Sequence, residues 1–119
     1  MRNIIGLDIG TSSVKGILMA EDGTVKKTAR GAFTYTKLEN GGLEIAADDF
    51  ADVCFSTIRE LAQAADGGVC SICAASASGN LVILDKENKP STPIFNWQDT
   101  RVTTEAHEIL GNMDLDALQ

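Results

Sequence analysis

The N-terminal part of the chain contains the segment Gly6-Leu7-Asp8-Ile9-Gly10-Thr11-Ser12-Ser13-Val14-Lys15-Gly16, in which a short polar turn joins two apolar runs. The runs cover residues 3–9 and 13–20, and each has the length and composition of a β-strand, so the segment predicts a hairpin. A second turn signal, Asp22-Gly23, follows, and residues 24–35 continue with Thr, Val, Phe and Tyr at strand-like spacing. We therefore expect three consecutive antiparallel strands.

A helix is predicted after the polar loop at residues 37–42. It begins at Asp48, a residue type that caps helix N-termini, and Asp66-Gly67-Gly68 ends it with glycine suited to a left-handed cap. Residues 69–75 have little polarity, which predicts a central strand that is covered on both faces and parallel to the first strand. The apolar positions of the helix keep the spacing of an amphipathic helix; they are Phe50, Val53, Cys54, Ile58, Leu61 and Ala65.

The rest of the chain predicts shorter elements. Residues 81–84 form a short strand, residues 93–95 form an extended segment, and a second helix runs from near Asp99 to Gly111. The order β-β-β-α-β predicts a mixed α/β fold that differs from the repeated βαβ units of a Rossmann domain. A new apolar pattern then begins at Met113, Leu115 and Leu118.

Composition and charge exclude several classes of protein. The chain has 119 residues with 10 Lys+Arg and 17 Asp+Glu, a formal net charge of −7 and 44% hydrophobic residues, which suits one folded domain. Lys26-Lys27 is the only adjacent basic pair, so we expect no nucleic-acid partner. No apolar run approaches the roughly 18 residues of a membrane helix, and the N-terminus lacks a signal-peptide core. We therefore expect a cytoplasmic protein without membrane contact.

The three cysteines, Cys54, Cys70 and Cys73, are odd in number and do not form the disulfide framework of a secreted protein. Cys70 and Cys73 form a CxxC pattern, but on an extended strand their Cα atoms would lie about 10 Å apart, which is too far for a disulfide. We predict that all three pack in the core. The single histidine, His107, lies in a polar stretch and is predicted to be on the surface.

The turn between the first two strands has the composition of a phosphate-binding loop. Gly10 lets the backbone approach an anion, Lys15 supplies a positive charge, and Asp8 can hold a hydrated Mg²⁺. The residues that can surround phosphate oxygens with N–H and hydroxyl groups are Thr11, Ser12 and Ser13. The alternative is a plain hairpin turn with solvated hydroxyls. It leaves unexplained a carboxylate at the end of a buried run and a lysine within an apolar strand.

Residues 8–15 resemble the phosphate-1 loop of the actin, sugar kinase and chaperone ATPase superfamily. Two later segments narrow the resemblance to the FGGY family of carbohydrate kinases. Residues 42–50 are similar to the family's Gly-Trp-x-Glu-x-Asp-Pro lead-in to its first helix, and residues 85–101 resemble its Asp-x-x-x-x-Pro-x-x-Pro and Trp-x-Asp-x-Arg patterns. The resemblance implies an actin-like (ribonuclease H-like) ATPase fold. In that fold, residues 1–119 are the N-terminal portion of the first of two actin-like domains, and the second domain is absent.

The same resemblance implies transfer of the γ-phosphoryl group of ATP to a hydroxyl of a small sugar or polyol, with Mg²⁺ as cofactor. Asp8 resembles the family's Mg²⁺-associated aspartate, and residues 11–13 with Lys15 resemble its contacts to the terminal phosphates. The family's general base and most of its adenine contacts lie in segments outside this chain, so the chain alone is expected to be inactive. A homodimer of the full-length protein is left open. The alternative function is a non-enzymatic actin-like nucleotide-binding module, and residues 97–101, which resemble a sugar-pocket wall, argue against it.

The predicted sugar-binding residues are Ser78, Gly79, Asn80, Trp97 and Asp99. Trp97 matches a tryptophan that lines the family's substrate pocket, with Asp99 beside it. Xylulose and gluconate kinases have Met-His, and glycerol kinases Arg-Glu, where this chain has Ser78-Gly79. The resemblance therefore leaves the sugar and its hydroxyl open. Three alternatives remain: a polar turn for residues 76–80, a core position for Trp97, and a helix N-cap for Asp99.

Overall fold

The computed structural model describes residues 2–113. Its elements are β1 (Asn3–Ile9), β2 (Ser13–Ala20), β3 (Val25–Ala32), β4 (Thr36–Lys37), β5 (Leu43–Ile45), α1 (Ala47–Ala62), β6 (Val69–Ser76), β7 (Ile94–Phe95) and α2 (Thr103–Gly111). The first three strands form the predicted antiparallel meander, and β6 runs parallel to β1, also as predicted. The strand order in this main sheet is β3-β2-β1-β6, so the mixed α/β fold is confirmed.

One face of the main sheet is covered by α1, which lies over β2 and β3 and reaches only the margin of β1. Glycines of the sheet allow this close approach. A Cβ atom at Gly16 would lie 2.6 Å from Leu61 Cδ1, and one at Gly31 would lie 2.5 Å from Val53 Cγ1. A side chain at either glycine would therefore force the helix away from the sheet. The apolar side chains that are completely buried in this core are Ile5, Val14, Leu18 and Leu61.

The ends of α1 differ from the prediction. The helix starts directly after Ala46, which makes no side-chain capping bond, and Asp48 lies in the first turn, where the helix dipole favours a carboxylate. At the other end, the C-cap Gln63 is right-handed and its N–H donates back to helix carbonyls, so no glycine cap is needed. The predicted cap glycines, Gly67 and Gly68, have φ values of 84° and 82° and form the loop that follows.

β6 is the edge strand of the described sheet, and its exposure contradicts the prediction of a strand covered on both faces. All its residues except Val69 are exposed, because α1 lies over β2 and β3 instead. Cys70 and Cys73 are therefore exposed in this 119-residue chain, and the prediction that they pack in its core is wrong. Cys54 is buried as predicted, and burial raises the pKa of its thiol.

A smaller three-stranded sheet, with the order β4-β5-β7, follows the meander. The extended segment predicted at residues 93–95 is confirmed, since it contains β7. The strand predicted at residues 81–84 is reduced to two isolated bridges at its ends. The two bridges join different segments, since Leu81 pairs with Phe95 and Leu84 with Pro90, and the backbone N–H of Ile83 between them donates to the Thr92 hydroxyl.

The second helix, α2, starts later than predicted and ends at Gly111 as predicted. Its N-cap is Val102, so the alternative that Asp99 caps this helix is wrong. The large apolar residues of this helix are exposed, as Leu110 illustrates with 50% exposure. His107 is exposed as predicted.

The apolar pattern predicted at the end of the chain is described only at its first residue. Met113 is exposed, whereas Leu115 and Leu118 lie outside the described residues. Among residues 2–113, no helix combines the length and the apolar character needed to span a membrane.

Candidate functional site

The connection between β1 and β2 is a tight loop closed by its own backbone. The N–H of Gly10 donates to the carbonyl of Ser13 at 2.9 Å, and the N–H of Phe33 donates to the carbonyl of Ser12 at 2.9 Å. The second bond fastens the loop to the residue that follows β3. A Cβ atom on Gly10 would lie 3.3 Å from the carbonyl oxygen of Ser13, so glycine allows the turn to close this tightly.

The three hydroxyl residues of this loop differ in exposure. Ser12 is exposed and Thr11 is partly exposed. Ser13 is the first residue of β2 and is only 4% exposed. Ser13 pairs with Ala32 of β3, and its burial makes it the least accessible of the three hydroxyl residues. Thr11 and Ser12 are the side chains best placed to meet a ligand.

Asp8 and Lys15 lie directly opposite each other where β1 pairs with β2, and Arg30 of β3 comes next in the same row. Paired residues of a sheet share one face. All three side chains are exposed and line an open groove of about 1100 Å³. Within residues 2–113, none of the three forms an ion pair. A carboxylate and two cations are thus available to a ligand beside the loop.

The segment after β6 passes close to the end of β1. The N–H of Ala77 donates to the carbonyl of Ile9 at 2.8 Å, and Oδ1 of Asn80 accepts a hydrogen bond from the backbone N–H of Trp97 at 3.0 Å. Gly79 has a φ of 87°, and a Cβ atom there would lie 3.0 Å from Cβ of Trp97. Gly79 and Asn80 therefore pack against Trp97, and Ala77 bonds to the end of β1.

Trp97 connects the two halves of the candidate site. Its indole Nε1–H donates to the hydroxyl oxygen of Thr11 at 3.2 Å. The residue is 56% exposed, so the alternative of a core position is wrong. Ser78, which precedes Gly79, is also exposed. The fold thus brings the predicted sugar wall into contact with the predicted phosphate loop.

The carboxylate of Asp99 is occupied by groups of the protein itself. It accepts hydrogen bonds from the N–H of Leu43 at 2.9 Å and from the N–H of Arg101 at 3.0 Å. The guanidinium of Arg101 donates to it as well, at 2.7 Å from Nη2. These bonds, with the guanidinium first, hold the pKa of Asp99 well below its usual range. Its role in binding sugar stays a prediction, and the geometry favours an indirect role.

Asn96 belongs to the site but is not among the residues predicted for it. It is 3% exposed, and its Oδ1 accepts a hydrogen bond from the N–H of Gln98 at 2.9 Å. This Asx turn reverses the chain at the end of β7, so that Trp97 follows on an exposed turn. An asparagine directly after an apolar strand is the sequence signal that could have identified it.

The carboxylate of Asp8 fits a magnesium ion held mainly by water and phosphate. Mg²⁺ keeps several waters and usually binds through one or two carboxylates together with substrate phosphates. Among residues 2–113, no group of three or more His, Cys, Asp or Glu side chains could hold a metal by itself. Lys15 and Arg30, in the same row as Asp8, suit the phosphate oxygens of such a complex.

Comparison with known proteins identifies the family. The sequence profile of the FGGY family of carbohydrate kinases, N-terminal domain, matches residues 3–119. The chain belongs to this FGGY family. It is 32% identical over 107 residues to the gluconokinase of Bacillus subtilis (strain 168), a match that covers 89% of the chain and 21% of that protein. It is 33% identical over 113 residues to the xylulose kinase of Lactococcus lactis subsp. lactis (strain IL1403), covering 92% and 22%.

The fold of this FGGY chain is shared with a solved kinase structure. The xylulose kinase from Rhodospirillum rubrum superposes with a TM-score of 0.84 and 27% identity, over 98% of this chain and 25% of that one. The actin-like fold that the resemblance implied is thereby confirmed. The FGGY chain spans about a fifth to a quarter of the length of these relatives.

Proposed function

We propose that this FGGY chain forms the phosphate loop and one wall of the substrate pocket of a kinase that transfers the γ-phosphoryl group of ATP to a hydroxyl of a sugar or polyol. The hydrogen bond from Trp97 to Thr11 carries the proposal, because it holds an exposed indole ring directly beside the loop. A sugar stacked on that ring has its hydroxyls next to the phosphate that is transferred.

On the nucleotide side, Asp8 holds Mg²⁺ and Lys15 neutralises charge on the terminal phosphates. The backbone and hydroxyls of the loop at residues 10–13 donate to the same oxygens. Phosphoryl transfer requires mainly positioning and charge stabilisation from the protein, because charge is spread over the phosphoryl oxygens. Two exposed cations without ion-pair partners in residues 2–113, Lys15 and Arg30, support this assignment.

On the acceptor side, the pocket wall consists of Trp97 and the segment at residues 78–80. The positive φ of Gly79 disfavours any side chain at that position, so hydroxyl recognition falls to Ser78 and Asn80. The matched gluconokinase and xylulose kinase support a sugar or a sugar acid as acceptor. In this proposal the partners are small molecules and ATP, and the reaction takes place in the cytoplasm, where ATP is available.

The test is phosphorylation of a panel of polyols, ketoses and aldonic acids by the complete gene product with Mg²⁺ and ATP. Asp8→Asn and Lys15→Ala are each expected to lower kcat by on the order of 100-fold, the scale of removing one preorganised charge-stabilising group. Both side chains are exposed, so the melting temperature should change little. Lys86→Ala is the matched control, because Lys86 is an exposed lysine outside the site.

Two results would contradict the proposal in different ways. An unchanged kcat in both variants would remove the loop from the reaction. Phosphorylation of no panel member, together with ATP binding that Lys15→Ala abolishes, would favour the non-enzymatic actin-like nucleotide-binding module.

A further inference from the structure

The turn at residues 96–101, called the Trp97 turn below, is held from one side by β5. The carbonyl of Leu43 accepts a hydrogen bond from the N–H of Asn96 at 2.9 Å, and the N–H of Leu43 donates to the carboxylate of Asp99 at 2.9 Å. Leu43 and Asp99 lie 56 residues apart in the chain. A single residue of β5 thus fixes both the beginning and the middle of the turn.

Arg101 adds an ionic brace to the same turn. Its Nε lies 3.1 Å from each carboxylate oxygen of Asp99, and its Nη2 lies 2.9 Å from Oε2 of Glu44. Its guanidinium carbon lies 5.0 Å from the centroid of the Phe95 ring. One planar cation therefore joins β5, β7 and the Trp97 turn. Lysine could not replace it, because a compact ammonium cannot form the forked bond and the stacked contact together.

The carboxylate of Asp99 has little capacity left for a ligand. A carboxylate offers about four lone-pair directions. Asp99 already receives hydrogen bonds from the N–H of Leu43, from the N–H of Arg101 and from the guanidinium of Arg101. The side chain of Asp99 is only 11% exposed and that of Arg101 only 22%. Saturation and burial together argue against direct contact between Asp99 and a sugar.

We propose that Asp99 and Arg101 are positioning residues that act through Trp97, with Glu44 orienting Arg101. The two N–H groups of Trp97 each make one neutral hydrogen bond to a distant segment. A neutral hydrogen bond contributes little by itself, so the position of the ring depends on a stiff turn. This role rests on the proposed function, because the object that is positioned is the wall of the acceptor pocket.

The test measures steady-state kinetics of the complete gene product carrying Arg101→Lys, Trp97→Phe or both substitutions. Arg101→Lys is expected to raise the KM for the acceptor about tenfold, the scale of losing one charge-assisted hydrogen bond, and to change the KM for ATP less than about twofold. Because Arg101 acts through Trp97, the double variant should raise the acceptor KM no further than the larger single effect. Arg59→Lys, at an exposed arginine of α1, is the matched control.

Asp99→Asn separates positioning from direct contact. Positioning predicts the same fold-increase in KM for every acceptor of the panel, whereas direct contact predicts a loss only for acceptors that carry one particular hydroxyl. Hydrogen exchange of residues 96–101 adds a readout that does not depend on turnover, and it should be faster in both Asp99→Asn and Arg101→Lys. If Arg101→Lys does not fold, Asp99→Asn replaces it in the comparison of single and double variants with Trp97→Phe.

The outcomes are distinct for the two proposals. An unchanged acceptor KM in Arg101→Lys, or effects of Arg101→Lys and Trp97→Phe that multiply independently, would overturn the positioning role while leaving the kinase function intact. A wild-type protein that phosphorylates no acceptor would overturn the proposed function. In that case the positioning role is overturned as well if the hydrogen-exchange rates of residues 96–101 are the same in Asp99→Asn and Arg101→Lys as in the wild type.

Discussion

Replacement of Trp97 by alanine is expected to weaken acceptor binding selectively, and the structure limits its cost to the fold. Trp97 is 56% exposed, so about 44% of its surface is buried. A large aromatic side chain buries up to about 250 Å², so the buried share is about 110 Å². At about 25 cal/mol per Å², this amounts to about 2.7 kcal/mol as an upper bound on the loss of stability.

The kinetic effect is expected on the acceptor side. Loss of the ring should raise the KM for the acceptor by about 10- to 200-fold, which corresponds to about 1–3 kcal/mol for contacts in a specificity pocket. The KM for ATP should change by less than about threefold, because only one neutral hydrogen bond, to Thr11, joins Trp97 to the phosphate loop. Initial rates with two acceptors and with ATP measure both effects, and thermal melting is recorded on the same samples.

Phe55→Ala is the matched control for this experiment. Phe55 is an aromatic residue of α1 with 60% exposure, so its removal should lower stability by a similar amount without changing any KM. The assignment of Trp97 to the pocket wall is refuted if Trp97→Ala lowers stability and the KM values for both acceptors stay at their wild-type level. It is equally refuted if the KM values for acceptors and ATP rise by the same factor.

Two further predictions concern stability. Leu61 is fully buried beneath the sheet glycine Gly16, so Leu61→Ala should lower the free energy of unfolding by about 2–5 kcal/mol. Urea unfolding measures this loss. Leu84→Ala, at an exposed leucine, is the control, and an equal loss of stability in that variant would contradict the prediction. The lowered pKa of Asp99 means that its contribution to stability is complete above the ordinary carboxyl value of 3.8 and is lost as the pH falls through the lower folded-state value. Urea unfolding from about pH 7 down to about pH 3 should therefore show the wild-type advantage over Asp99→Asn shrinking below about pH 4, and an advantage independent of pH would disprove the ion-pair explanation.

The first half of the fold could be predicted because its contacts are local. β1, β2 and β3 are joined by tight turns, so each strand pairs with its neighbour in sequence and the alternation of side chains specifies the pairing. The same locality sets Asp8 opposite Lys15, so the groups of the proposed phosphate loop could be identified from the sequence alone. The period of α1 likewise identifies Leu61 and Cys54 as buried.

β6 illustrates why other predictions were wrong. An apolar run indicates that a strand can be buried, but burial depends on which elements pack over it. At the edge of the described sheet, Cys70 and Cys73 are exposed although most of the residues around them in β6 are apolar. Resemblance to a family aligned Asp99 with a substrate pocket, yet it could not indicate that both carboxylate oxygens are already bonded to Leu43 and Arg101.

The contact between the proposed phosphate loop and the proposed pocket wall could not be predicted from the linear sequence. Trp97 and Thr11 are 86 residues apart, and a single hydrogen bond between such distant residues leaves no periodic or compositional trace. It exists because the segment after β6 and the Trp97 turn both reach the end of β1 where the loop begins. Local sequence was sufficient to specify the loop and its charges, since those groups are neighbours along two adjacent strands. Packing of the second, smaller sheet was needed to bring an exposed indole ring against that loop and to place the carboxylate of Asp99 within hydrogen-bond distance of Leu43 and Arg101.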